Sequence, residues 1–198
     1  MDILHVGTKE NLVDDESLLV DDQYVASLTK SMFTYTSKWS LQCVICRYLT
    51  VSYSQSRVLF VYPSKVTNIK HLLDNGIISS LTKRCNSCQN NTKHYEIVKI
   101  QYPPTVLAIV INRFDQALRG SKNKDKINLD RDILVASNKY NLIGSIHHHG
   151  NTITSGHYTS NVYYAESAYT CNDSQIIPLT HFEPSDSVYM LFYTHDTN

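Results

Sequence analysis

Gly156-His157-Tyr158-Thr159-Ser160, followed by Asn172-Asp173, is the stretch from which the rest of this 198-residue chain is read. His157 leads into a run of mixed polar and apolar residues, Tyr158 to Tyr164, whose pattern predicts a strand. A second strand is expected over Ala168 to Cys171, ending at the amide of Asn172 and the carboxylate of Asp173. A turn over Tyr163 to Glu166 would pair the two strands antiparallel and set residue 157 opposite residue 172. That puts an imidazole beside a group able to hold its tautomer, with Asn172 as the expected partner and Asp173 as the alternative. Such a pair is the base and orienting residue of a nucleophilic site. No nucleophile is evident beside them.

Working upstream, Gly150 to Ser155 reads as a small-residue loop that delivers His157. Before it, Tyr140 to His149 is an expected strand ending in His147, His148 and His149. On a strand, His147 and His149 share a face and could chelate, but no acidic or thiol partner lies at useful spacing, so they read as strand-end histidines. Val106 to Ile111 is an uninterrupted apolar run introduced by Pro103-Pro104 and predicts a strand buried on both faces. Leu107, Ile109, Phe114, Ile146 and Leu191 are the expected core, and Val188 to Tyr193 is the last strand.

The five cysteines fall as Cys43-x-x-Cys46, Cys85-x-x-Cys88 and the single Cys171. Two such pairs predict a Zn²⁺ ion held by four thiolates on two tight knuckles, a structural site with no open position. His94 is redundant for that site and is expected at the surface. Between the pairs, strands are expected over Leu49 to Tyr53 and Val58 to Tyr62, then a short helix, Asn68 to Asp74, capped by Thr67. The N-terminal 22 residues are polar and acid-rich and read as a flexible lead-in to a helix from Gln23 to Phe33.

Lysine plus arginine equals aspartate plus glutamate at 18 each, so no basic surface points to nucleic acid. No stretch is apolar enough to predict a membrane span or an export signal. Cysteine pairs without such a signal place the chain in the reducing interior, cytoplasmic or nuclear. Fourteen tyrosines fit a β-rich chain with a surface for a protein or peptide, or plain sheet.

In their order along the chain these motifs resemble the C-terminal part of the ubiquitin-specific protease family of deubiquitinating enzymes. The two CxxC pairs are similar to the zinc ribbon of that family's fingers. Pro104 to Phe114 resembles its Pro-x-x-Leu strand ending in Arg-Phe. Tyr140-x-Leu142 with His149-x5-Ser155-Gly156-His157-Tyr158 resembles its histidine box, and Cys171-Asn172-Asp173 and Tyr189 to Tyr193 its closing motifs. The resemblance implies an α+β, β-rich fold of papain-like type, with fingers over residues 37–100 and an antiparallel palm over 101–198.

It also implies roles. His157 would be the general base, Asn172 its orienting partner and Asp173 a helper. Gly150, Ser155, Gly156 and Tyr158 would line the path of ubiquitin's Gly-Gly tail. The family's helical thumb, which carries the catalytic cysteine in an Asn-x-Cys box, has no counterpart here. Four cysteines are assigned to zinc, and Cys171, facing away from Asn172, is expected in the core. Three expectations follow: a cysteine isopeptidase represented by part of its domain, a module that binds ubiquitin or another partner without cleaving it, or a zinc ribbon with a fortuitous histidine–asparagine pair.

Overall fold

The computed structural model describes residues 28–63, 66–114, 121–164, 167–180 and 183–196. The acidic lead-in and the first residues of the expected N-terminal helix lie outside them. Residues 28–33 are helical, with Leu28 and Met32 exposed. The elements that follow are β1 (Tyr35–Cys43), β2 (Leu49–Ser56), β3 (Val58–Val61), β4 (Val66–Thr67), α1 (Ile69–Asn75), β5 (Ile77–Arg84), β6 (Asn91–Tyr102) and β7 (Val106–Ile111). Then come β8 (Lys126–Ile127), β9 (Asp132–Val135), β10 (Asn138–Thr152), β11 (Ser155–Tyr164), β12 (Ser167–Asn172), β13 (Gln175–Pro178) and β14 (Val188–His195).

They form two principal sheets. A four-stranded sheet has the order β2-β1-β6-β5, and an eight-stranded sheet runs β13-β12-β11-β10-β14-β7-β3 with β9 added beside β10. The large sheet is antiparallel except at one edge, where β3 pairs parallel with β7. β3 lies within the range expected to form fingers, but its Val58 to Val61 register against Ala108 to Ile111 makes it part of the large sheet.

β7 explains its own sequence. It lies between β14 and β3, and its burial is nearly continuous, with Leu107, Ile109 and Ile111 fully enclosed. A strand covered on both faces has no polar side to alternate with. Leu191 and Tyr193 of β14 complete this centre, and Ile69 of α1 joins the same core. Phe114 and Ile146, expected in the core, are only half-buried.

α1 is capped by Asn68 rather than Thr67: the Asn68 side chain accepts from the His71 backbone N–H at 3.0 Å. An amide oxygen one residue later reaches the orphan donor of the first turn. The helix ends at Gly76, whose φ of 82° only glycine adopts without strain. Among the described residues no helix is long and apolar enough to cross a membrane.

The buried staple of the large sheet is Arg113, just past the end of β7. It is 0% exposed, and its guanidinium donates to four backbone carbonyls: Val188 at 2.7 Å, Asn123 at 3.0 Å, Asp125 at 2.8 Å and Ser185 at 3.1 Å. Burial lowers its pKa to about 10, against the pull of Asp186 and Asp125. The planar fork of donors ties β7 to residues 123–125 and to the approach of β14.

Candidate active site

The hairpin of β10 and β11 carries His157. Its strands pair His149 with His157 and His148 with Tyr158, and Thr152 meets Ser155 across Ile153 and Thr154. The expected loop over Gly150 to Ser155 is therefore mostly strand, closed by a two-residue turn and carrying a register shift between His149 and Thr152. Residues 151–158 are exposed.

β12 pairs with β11 with Ser160 opposite Cys171 and Tyr164 opposite Ser167. This register differs by two residues from the expected one, so residue 172 falls level with Thr159, not His157. The error is harmless to the face, because a shift of two residues leaves a side chain on the same side of a sheet. His157 reaches Asn172 diagonally, with Nε2 and Oδ1 2.6 Å apart. The amide oxygen can only accept, so Nε2 carries the proton and Nδ1 keeps its lone pair. Asn172 is the residue that meets the imidazole. Asp173 sits exposed in the two-residue turn to β13 with φ 50°.

Cys171 pairs with Ser160 and Ile176 on the other face of the sheet from Asn172. It is half-buried and not the core residue expected, since β12 lies only one strand from the sheet edge. All five cysteines of the chain lie among the described residues, and none of them is brought to His157.

The neighbouring histidines are structural in placement. His147 is buried, its Nε2 2.9 Å from Ser145 Oγ and its Nδ1 3.0 Å from Ser187 Oγ. Burial, helped by His149 and Arg113, pushes its pKa down to about 4. His149 stacks on His147 and contacts Thr159 Oγ1 at 2.9 Å. Its pKa is lowered by burial and then by Lys122 and His157. Among the described residues, these histidines are not part of any cluster able to hold a metal.

Tyr158 is exposed and faces Tyr189 edge-on at 6.3 Å. The side chains of Gly150 and Gly156 are excluded by their surroundings: a Cβ on Gly150 would lie 2.5 Å from the Ser155 carbonyl. Sequence reading placed His148 among the strand-end histidines without a role of its own and passed over Lys122. Lys122 Nζ donates to the His148 carbonyl, and burial lowers the pKa of this lysine. The available signal for His148 was its place in the alternation, opposite Tyr158 and two residues before a glycine.

At the far end of the four-stranded sheet the two cysteine pairs form matching knuckles. Arg47 N–H donates to Cys43 O and Gln89 N–H to Cys85 O, at 3.1 and 3.0 Å. Each knuckle closes with a left-handed residue, Arg47 at φ 62° and Gln89 at φ 61°. The four sulfurs lie within 4.8 Å of one another, with Cys43 to Cys88 at 3.9 Å and Cys46 to Cys85 at 3.6 Å. A tetrahedron with zinc–sulfur bonds of about 2.3 Å has edges of about 3.8 Å, so the donor set fits Zn²⁺. The backbone N–H of Tyr48, then the thiols of Cys43, Cys85 and Cys88, pull the Cys46 thiol down to about 6 against the effect of burial. His94, expected at the surface, is buried, because the pairing of β1 with β6 sets it opposite Cys43.

The fold is β-rich, with a four-thiol knuckle site and, on other paired strands, a histidine hydrogen-bonded to an asparagine. A family model described as ubiquitin carboxyl-terminal hydrolase matches residues 8–193, and the chain belongs to that family. Ubiquitin carboxyl-terminal hydrolase 23 of Arabidopsis thaliana is 24% identical over 216 aligned residues, which take in 99% of this chain and 24% of that protein.

Solved structures share the fold. A SAGA DUB module of Ubp8, Sgf11, Sus1 and Sgf73 bound to monoubiquitin matches with a TM-score of 0.72 at 21% identity, over 86% of this chain and 42% of that one. The same module bound to ubiquitin aldehyde matches at 0.74 and 19% identity, over 90% and 47%. A yeast SAGA DUB module with a mutant Sgf73 matches at 0.74 and 20%, over 91% and 46%. The chain thus spans about a quarter of the Arabidopsis relative and under half of the solved chains.

Proposed function

We propose that this chain is the fingers-and-palm part of a cysteine-type deubiquitinase, supplying the general base while the thiolate comes from residues outside this sequence. The observation that carries the reading is the His157 Nε2 to Asn172 Oδ1 contact at 2.6 Å, made on an exposed strand end. It leaves Nδ1 free to take a thiol proton and to return it to the leaving amine. Asp173, exposed in the next turn, is close enough in sequence to assist through water. Tyr158 and the strands around Gly150, Ser155 and Gly156 line the approach of an extended Gly-Gly tail.

A protein partner suits the rest of the surface. Val51, Ile97 and Ile78 lie in one row across the four-stranded sheet, with Leu49 and Tyr95 in the next, and all five are exposed. An exposed apolar face of this kind marks a protein interaction site, and relatives of the same fold have been solved bound to ubiquitin. Zn²⁺ would hold the knuckles, with Cys43, Cys46, Cys85 and Cys88 as ligands and no part in catalysis. The thiolate set suits a reducing, intracellular setting.

The second reading is a ubiquitin-binding module without activity. The observation favouring it is that no cysteine of the chain reaches His157. A fluorescent amide of ubiquitin's C-terminus separates the two. The chain alone is expected to be silent. A fusion to a relative's thumb, joined ahead of residue 23, is expected to cleave, with His157→Ala abolishing and Asn172→Ala lowering the rate. A well-folded fusion that stays silent but binds ubiquitin favours the module. Activity of the chain alone that Cys171→Ser removes would make Cys171 the nucleophile and overturn the assignment.

A further inference from the structure

In the hairpin that carries His157, the side chain of His148 is buried. It is 2% exposed and stands directly across the β10–β11 ladder from Tyr158. Phe114 meets the ring edge-on with centroids 5.5 Å apart, and Tyr158 tilts over it at 4.8 Å. A Cβ added to Gly156 would lie 2.2 Å from His148 Nε2, and one added to Gly150 would lie 3.0 Å from its Cε1. Neither glycine has a positive φ, so space and not backbone freedom demands them. The imidazole fills the space that a side chain at 156 would enter first, while one at 150 would meet the Ser155 carbonyl at 2.5 Å before it met the ring.

The backbone around the ring is tied as well. Lys122 Nζ donates to the His148 carbonyl, and the Lys122 N–H donates to the Asn151 carbonyl at 3.3 Å. Lys122 belongs to the segment that Arg113 holds through the carbonyls of Asn123 and Asp125. Nδ1 of His148 is buried without a hydrogen-bond partner, and burial, with Lys122 next, lowers the ring's pKa and favours the neutral form. A neutral ring that spends no hydrogen bond at Nδ1 acts there by its shape.

We infer that His148 is a positioning residue for the base: its ring, seated in the slot between Gly150 and Gly156, sets where β11 enters and so sets the contact of His157 with Asn172. This rests on the reading of His157 as the base. Gly156 is the residue before His157, so a displacement of a few tenths of an ångström at the slot passes directly to the imidazole. A hydrogen bond of fixed partners weakens steeply with distance and angle, and productive geometry at a reacting group tolerates little misplacement.

The test reads the tautomer of His157 and needs no activity. Long-range ¹H–¹⁵N spectra of the full chain, labelled at histidine and loaded with zinc, are expected to show His157 protonated at Nε2. Gly156→Ala is expected to convert that signal to a mixture of tautomers, because Nε2–H loses its acceptor. His148→Ala alone is expected to give a similar mixture, because β11 then loses the ring that fixes its entry. A ring that merely fills space would leave His157 bonded through Nε2 in a folded His148→Ala chain.

A folded Gly156→Ala chain with the unaltered His157 signal overturns the inference. So does a folded His148→Ala chain with that signal unaltered. If Gly156→Ala fails to fold, His148→Ala decides, and its failure to fold likewise overturns the inference. If the spectra respond as expected while His157→Ala leaves the thumb fusion's cleavage rate unchanged, the base assignment falls and the positioning stands.

Discussion

Replacing Arg113 by methionine tests whether the large sheet depends on a buried cation that, among the described residues, forms no ion pair with a carboxylate. The side chain is fully enclosed and donates to the carbonyls of Val188, Asn123, Asp125 and Ser185. Methionine keeps most of the stem's apolar contacts but supplies no donor. Hydrogen bonds from charged groups contribute about 1.5–3 kcal/mol each, and a buried acceptor left alone costs about 1–3 kcal/mol.

These terms do not add. Ser185 O keeps the Ile127 N–H at 2.9 Å, and removing the charge also removes its desolvation cost, which the lowered pKa of Arg113 records. A net loss of about 3 kcal/mol is expected for Arg113→Met. Arg113→Lys should fall between, since an ammonium cannot reach four carbonyls arranged around a planar fork. Urea unfolding followed by tryptophan fluorescence, with zinc present throughout, gives the order wild type, then Lys, then Met. Methionine as stable as the wild type would refute the reasoning and show that hydrophobic replacement of the ion is neutral here, as it is in some buried pairs.

Metal analysis is expected to find one Zn²⁺ per chain, and Cys85→Ser to unfold the four-stranded sheet. Less than about half an equivalent, with all four thiols freely titratable, would oppose the site. Leu107→Ala should cost about 2–5 kcal/mol because the side chain is fully buried in β7, and an unchanged urea midpoint would contradict the core described. His147 should make stability fall with acid. Its folded pKa, about 4, lies below the ordinary 6.5, so the unfolded chain binds the proton first, and stability present above pH 6.5 is lost as pH falls toward 4. Comparing urea midpoints at pH 7 and pH 4.5 for the wild type and His147→Gln checks this, with the wild type expected to lose about 2 kcal/mol more than the variant.

What the sequence determined by itself was what local pattern and donor chemistry carry. The uninterrupted run Val106 to Ile111 announced a strand buried on both faces, because a covered strand has no polar side. The doubled CxxC announced a four-thiol knuckle site, because two spaced pairs at a hairpin end meet as soon as β1 and β6 pair. His157 and Asn172 could be placed on one face despite a register error of two residues, because strand side chains repeat with period two.

Tertiary structure decided what depends on partners distant in sequence. His94 reads as a surface residue until β6 is set against β1. β3 lies among the finger strands in sequence, yet pairs with β7 because its four apolar residues complete the buried edge of the large sheet. The glycines at 150 and 156 look like freedom for a loop, and the fold makes them the walls of a slot for His148. Arg113 appears in the sequence only as a charge after an apolar run. Its four acceptors come from 10 to 75 residues away, and no local pattern specifies backbone carbonyls that only the assembled sheet brings together.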